Sequence, residues 1–234
     1  MIFSLEHKVA IVTGAARGNG KAIADGLREF GANVIGLDII ESDDTILCDI
    51  TNHDQVKTHL DKFDTIDILV NNAGVTHVSD FVDYPDKFWN QTYEVNLKAP
   101  YKLIQYITPK MQSAGGGSII NVTSLNAELA FPNNPAYVAF KGALKQLTKS
   151  AALDLGKYGI RVNNVGPGYF ITEMTKNSWQ DEKTYKQRSQ KTMLNRWGTP
   201  KDLVGTFVFL ASDASSYITG QDIYVDGGWL AKGL

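Results

Sequence analysis

The 234-residue chain is 43% hydrophobic, enough to bury one large core, and its 23 Lys and Arg against 25 Asp and Glu leave a net charge of −2. That balance offers no electrostatic footprint for nucleic acid. Cys48 is the only cysteine, which excludes an intrachain disulfide.

The run Met1-Ile2-Phe3-Ser4-Leu5-Glu6-His7-Lys8 mixes charge into its apolar residues, and no stretch of 18 apolar residues follows. We therefore expect neither a secretory leader nor a membrane span, and a cytoplasmic protein. His7, His53, His59 and His77 lack the spacing of a metal site, so no metal is expected. No Pro/Ser/Gly-rich linker or charge block divides residues 1–234, which read as one domain.

In chain order, short β-branched runs alternate with longer helical patterns. A strand over Val9 to Thr13 precedes a helix over Lys21 to Phe30, stopped by Gly31; a strand over Asn33 to Leu37 follows. Thr45 to Cys48 reads as strand, Asp54 to Phe63 as helix, and Ile68 to Asn71 as strand. Then come a long segment from Asp86 to Gln112, a strand over Ser118 to Val122, a helix over about Pro135 to Tyr158 and a strand over Arg161 to Val165. The polar stretch from Thr175 to Thr199 reads as a mobile helical lid, after which Thr199-Pro200-Lys201-Asp202 opens a helix with an N-cap, a proline and a first-turn acid. Such alternation predicts an α/β fold, a doubly wound parallel sheet with helices on both faces. Ligands in such sheets bind beyond the carboxyl ends of the strands.

Thr13-Gly14-Ala15-Ala16-Arg17-Gly18-Asn19-Gly20 falls at the first such end. Its glycines let the backbone turn sharply and approach a pyrophosphate, whose charge meets free N–H groups and the positive end of the helix dipole. Asp38, at the end of the second strand, can accept hydrogen bonds from an adenosine ribose and repel a 2′-phosphate, which favours NAD over NADP. Arg17 pulls toward NADP, since a guanidinium can bind that phosphate. Asp49 can meet an adenine amino group or cap the following helix near Asn52.

Tyr137 and Lys141 stand four residues apart and share a helix face, with Ser124 upstream at the end of an apolar run. A free tyrosine with a pKa near 10 is a poor base at neutral pH. Lowering it by roughly 3 units needs about 4 kcal/mol, close to what one unit charge at roughly 4 Å supplies at an effective dielectric near 20. One adjacent ammonium is enough in principle.

Together, Thr13 to Gly20, Asn71-Asn72-Ala73-Gly74, Asn96, Ser124, Tyr137 with Lys141, and Pro167-Gly168 resemble the short-chain dehydrogenase/reductase family in order and spacing across essentially the whole chain. The resemblance implies a single Rossmann-type domain with a sheet of about seven strands, assembled as a homotetramer or homodimer, acting on a small-molecule substrate. By the same resemblance Tyr137 is the acid/base, Lys141 lowers its pKa and holds the nicotinamide ribose, and Ser124 orients the substrate oxygen. Asn96 kinks its helix and holds a water in a relay to Lys141. Thr172 binds the nicotinamide carboxamide, and Asn72, Ala73 and Gly74 shape the cofactor floor, with Pro167, Gly168 and Phe170 alongside.

Two features depart from the family pattern. Ile39 to Asp44 leaves room for little more than a turn where a helix normally joins the second and third strands, and threonine stands at position 123 where serine is common. Pro167 to Met174, Arg196 to Pro200 and Val225 to Ala231 resemble the branch that includes gluconate 5-dehydrogenase and 2-deoxy-gluconate 3-dehydrogenase. A sugar-acid carboxylate needs a cation, and Lys186, Arg188, Lys191 or Arg196 can supply one. Alternatives are a 3-oxoacyl thioester reductase or cyclic diol dehydrogenase, a non-catalytic dinucleotide-binding regulator, and an extended-type epimerase, for which the chain leaves no room.

Overall fold

The computed structural model describes residues 1–232. Seven strands form one parallel sheet in the order β3-β2-β1-β4-β5-β6-β7. They are β1 (Val9–Thr13), β2 (Asn33–Asp38), β3 (Thr45–Leu47), β4 (Ile68–Asn71), β5 (Gly117–Val122), β6 (Ile160–Pro167) and β7 (Asp222–Val225). The order reverses between β1 and β4, which opens a crevice at their carboxyl ends. The main helices are α1 (Gly18–Glu29), α2 (His53–Leu60), α3 (Asp86–Tyr93), α4 (Ala99–Ser113), α5 (Pro135–Leu155), α6 (Lys176–Trp179), α7 (Glu182–Lys191) and α8 (Lys201–Ala211).

Strand alternation sends Ala10, Val12, Ile68, Val70, Ile120 and Val122 into one core with α1 and α8. Ile11, Leu69, Ile119 and Val162 enter a second core with α2 and α4. A sheet buried on both faces explains why the strands read as continuous apolar runs. Among the described residues, no helix is long and apolar enough to cross a membrane.

Several ends shift by one to three residues from the sequence reading, α2 closing at Leu60 and α5 at Leu155, and three larger differences stand out. α1 begins at Gly18, not Lys21, because the glycine turn is itself its first turn. β7 was not visible in the pattern: it is a four-residue edge strand, only partly buried, that opens on a charge. The long segment is two helices joined by a π-turn over Glu94–Lys98. The cause lies in Pro100, which has no N–H to offer the Asn96 carbonyl four residues back. The ladder shifts, and the Ala99 N–H reaches five residues back to Glu94. The expected short β2–β3 connection is present, with no helix between Asp38 and Thr45.

A row of buried polar side chains crosses the sheet. Asn71 Nδ2 donates to Asn121 Oδ1 (2.8 Å), Asn121 Nδ2 to Thr148 Oγ1 (2.8 Å), Thr148 Oγ1 to Asn164 Oδ1 (2.6 Å) and Asn164 Nδ2 to Asp222 Oδ1 (2.7 Å). At its far end Lys145 pairs with Asp222 and with Glu128, which also accepts the Tyr224 hydroxyl. The segment between β6 and α8 is closed at its base by a parallel bridge between Phe170 and Gly198. There the Ile171 N–H donates to the Gly198 carbonyl and the Gly198 N–H to the Tyr169 carbonyl, each at 2.9 Å.

Candidate active site

The glycine turn lies between the ends of β1 and β4 and is braced from β4. Asn72 Nδ2 donates to the carbonyls of Thr13 (2.9 Å) and Gly14 (3.1 Å), while the Thr13 hydroxyl accepts the amides of Asn72 and Ala73. Asn72 thus shapes the loop itself. A Cβ on Gly20 would fall 1.9 Å from the Gly14 carbonyl oxygen, so only glycine lets the chain close on itself here. Gly18 has φ +57° and faces the Thr172 side chain across the crevice.

This cradle fits a dinucleotide. No side chain caps α1 and its first turn holds no acid, whereas α2 and α7 are capped by Asn52 and Asp181. The N-terminus of α1 therefore keeps its N–H groups and dipole for an incoming anion. Asn19 Oδ1 is buried with no hydrogen-bond partner among the described residues. Arg17 is exposed on the same turn. The Asp38 carboxylate is buried beside the turn, accepting the amides of Ala16 (2.9 Å) and Ile40 (3.0 Å).

Asp49 does not cap α2, a role that falls to Asn52. Its carboxylate binds the amide and hydroxyl of Thr51 and stands exposed at the end of β3. Pro167 and Gly168 end β6, where the Gly168 N–H donates to Val225. The Phe170 side chain lies in the core under α1 and α8, so a cofactor contact there falls to its backbone. Thr172 caps the turn Glu173–Thr175 in a reciprocal pair with Thr175.

On the other side of the crevice α5 presents Tyr137 and Lys141 on one face, with Ser124 just beyond β5. Trp89 and Tyr93 pack on Phe140 at 4.9 and 5.5 Å, seating α3 on α5 and bringing the π-turn to the site. Lys141 is 3% exposed and its ammonium donates to the Val122 carbonyl at 2.6 Å. It stands 5.6 Å from the centre of the Tyr137 ring. Asn96 is fully buried, and both its polar atoms are spent on the Val75 backbone, at 2.8 and 2.9 Å. Its side chain thus pins the Val75 backbone on the crevice side of β4. Gly74 lies between the two: a Cβ there would sit 3.4 Å from Asn96 Oδ1 and 3.7 Å from Lys141 Nζ.

The electrostatics differ from the sequence expectation. Burial pushes the Tyr137 phenol above its ordinary value, and the nearby Ser124 hydroxyl draws it part of the way back. Burial also lowers Lys141, to about 8. The reason is that both groups are taken out of water, which disfavours charge on either. The ammonium donates to the Val122 carbonyl and so does not offset this for the phenol.

Two residues here escaped the sequence reading. Asn126 anchors Ser124, its amide donating to Ser124 Oγ (3.2 Å) with its own Oδ1 3.1 Å from that hydroxyl. The serine-x-asparagine spacing is the only signal. Tyr169, after Pro167-Gly168, lies close enough to Tyr137 to oppose its ionisation.

A parallel sheet with a glycine turn at its switch point and a tyrosine–lysine helix across the crevice defines a Rossmann-type enzyme domain. Residues 14–230 match the family model described as enoyl-(acyl carrier protein) reductase. Gluconate 5-dehydrogenase of Gluconobacter oxydans is 37% identical over 97% of this chain and 96% of its own length. 2-Dehydro-3-deoxy-D-gluconate 5-dehydrogenase of Dickeya dadantii is 35% identical over 98% of each. The crystal structure of a Burkholderia cenocepacia gluconate 5-dehydrogenase, in complex with NADP and tartrate, superposes with a TM-score of 0.94 at 34% identity, covering 98% of both chains. The chain belongs to the short-chain dehydrogenase/reductase family, whose members here are oxidoreductases acting on CH–OH groups.

Proposed function

We propose that this protein interconverts a secondary alcohol and a ketone on a sugar acid of the gluconate type, with NAD as its preferred cofactor. The observation that carries the reading is the convergence of Ser124, Tyr137 and Lys141 on the crevice opposite the uncapped α1 turn. The bound nicotinamide would supply the hydride acceptor or donor. Ser124, held by Asn126, orients the substrate oxygen by a hydrogen bond. Tyr137 takes the hydroxyl proton in oxidation and returns it in reduction. Lys141 favours the phenolate once a ligand draws its ammonium from the Val122 carbonyl. Asn96 fixes the Val75 backbone beneath the site, and its π-turn offers a backbone acceptor for a water that links Lys141 to solvent.

Asp38 supports NAD. The Ile39–Asp44 connection beside it carries Glu41, Asp43 and Asp44 and no base, so a 2′-phosphate would enter an acidic rim where Lys21 and Arg28 are already engaged by Asp25 and the Asp44 segment, and Arg17 is the cation outside those pairs. The sugar-acid part rests on the relatives' activities and on tartrate, itself a hydroxy dicarboxylate, in the Burkholderia structure.

The test is a nicotinamide absorbance screen with both cofactors over gluconate, keto-gluconates, polyols and 3-oxoacyl thioesters. Tyr137→Phe should lose about 10²- to 10⁴-fold in turnover while still binding cofactor. Near-normal turnover in that variant would refute the mechanism.

A further inference from the structure

The lid segment carries several cations, and the structure separates them. Arg196 is gripped by Asp202 through two contacts of 2.9 and 2.8 Å, so it is committed to opening α8. Lys186 and Lys191 are exposed on flexible stems, Lys191 standing 5.5 Å from the Trp229 ring centre. Arg188 differs from all three. It is half-buried in α7, with its guanidinium carbon 4.0 Å from the centre of the Tyr169 ring and 5.8 Å from that of Trp197. The ion pairs among the described residues do not include it, although they engage Arg28 and Arg196.

The placement of its platform gives the unpaired guanidinium its meaning. Tyr169 leaves the carboxyl end of β6 two residues after Pro167 and packs among Phe131, Trp197 and Trp229, at 6.0, 5.3 and 5.1 Å. It is also electrostatically coupled to Tyr137. Arg188 therefore stands at one remove from the proposed proton-transfer group, on a rigid aromatic base. A guanidinium resting on a ring face keeps its N–H groups directed outward along its own plane, ready for the two parallel hydrogen bonds a carboxylate accepts. Half-burial makes such a pair worth more than one on the open surface.

We propose that Arg188 reads the carboxylate of the substrate, held in place by Tyr169, and so sets the preference for a sugar acid over the matching neutral polyol. This rests on the sugar-acid reading above, and the test separates the two. Steady-state kinetics with the NAD-loaded enzyme would compare D-gluconate with D-glucitol, which carries a hydroxymethyl group in place of the carboxylate. Arg188→Gln should raise the gluconate KM by about 10- to 100-fold, the loss expected for charge-assisted hydrogen bonds, and collapse the gluconate-to-glucitol ratio of kcat/KM. Arg188→Lys, which keeps the charge but not the fork, should retain part of that ratio, and the NAD KM of both variants reports that the fold is intact. A wild-type enzyme that favours gluconate and an Arg188→Gln variant whose gluconate KM stays within about threefold would overturn the role of Arg188 and leave the sugar-acid reading standing. A wild-type enzyme with no preference for gluconate would overturn both.

Discussion

Replacing Lys141 by methionine should change how stability depends on pH in a way that the buried ammonium alone dictates. In the folded chain Lys141 sits at about 8, against an ordinary value of 10.5. Below the lower value both folded and unfolded chains hold the proton. Between the two values the unfolded chain keeps it and the folded chain has lost it, so the unfolded state binds more protons and stability rises with pH. At about 1.4 kcal/mol per pKa unit, the wild-type protein should gain about 2 kcal/mol on methionine between about pH 7.5 and pH 9.5. Methionine also strips the Val122 carbonyl of its donor, but that cost is the same at every pH and drops out of the slope. Urea unfolding of both cofactor-free proteins across this range measures the difference directly. Parallel stability curves would refute the burial argument and mean that the lysine titrates as it does in water.

The remaining expectations concern the cradle and the sheet. Asp38→Ala should weaken NAD binding and narrow the gap between NAD and NADP, read from the two KM values; an unchanged ratio removes Asp38 from cofactor choice. Gly20→Ala places a methyl group on the Gly14 carbonyl oxygen and should abolish cofactor binding by titration of nicotinamide fluorescence, since backbone must move to admit it. Asn121→Ala leaves the Asn71 amide buried without its acceptor, while the Thr148 hydroxyl loses one donor but still donates to Asn164. Chemical denaturation should show a loss of about 1 to 3 kcal/mol for the orphaned amide, and a loss well below about 1 kcal/mol would mean that the Asn71–Asn121 bond does not form as described.

Much of the architecture was legible because parallel strands buried on both faces must be apolar throughout and because glycines mark where the chain turns at a strand end. The placement of the candidate site was legible for the same local reasons: Tyr137 and Lys141 are one helical turn apart, and Ser124 closes an apolar run. What local pattern cannot supply is the solvent around a charge. The expected lowering of Tyr137 assumed an ammonium turned toward it in a partly wet site, whereas the fold dries both groups and offers Lys141 a carbonyl instead. The polar row was invisible for a related reason. Asn71, Asn121, Thr148, Asn164 and Asp222 lie far apart in the chain, and nothing in their spacing pairs one with the next. Asn96 was half legible: Pro100 explains the kink, but only coordinates show its side chain spent on Val75.

The bridge between Phe170 and Gly198 brings both ends of the segment between β6 and α8 to a single point on the body of the protein. A segment joined in this way behaves as an interchangeable cartridge. Its length and chemistry can be rewritten without shifting β6, and without shifting α8 so long as Arg196 keeps its grip on Asp202, so what the segment presents to the crevice can drift over evolutionary time while the sheet stays fixed. Exchanging residues 171–195 between relatives, with Arg196 and Trp197 kept, is therefore the natural unit for redesigning what this scaffold accepts.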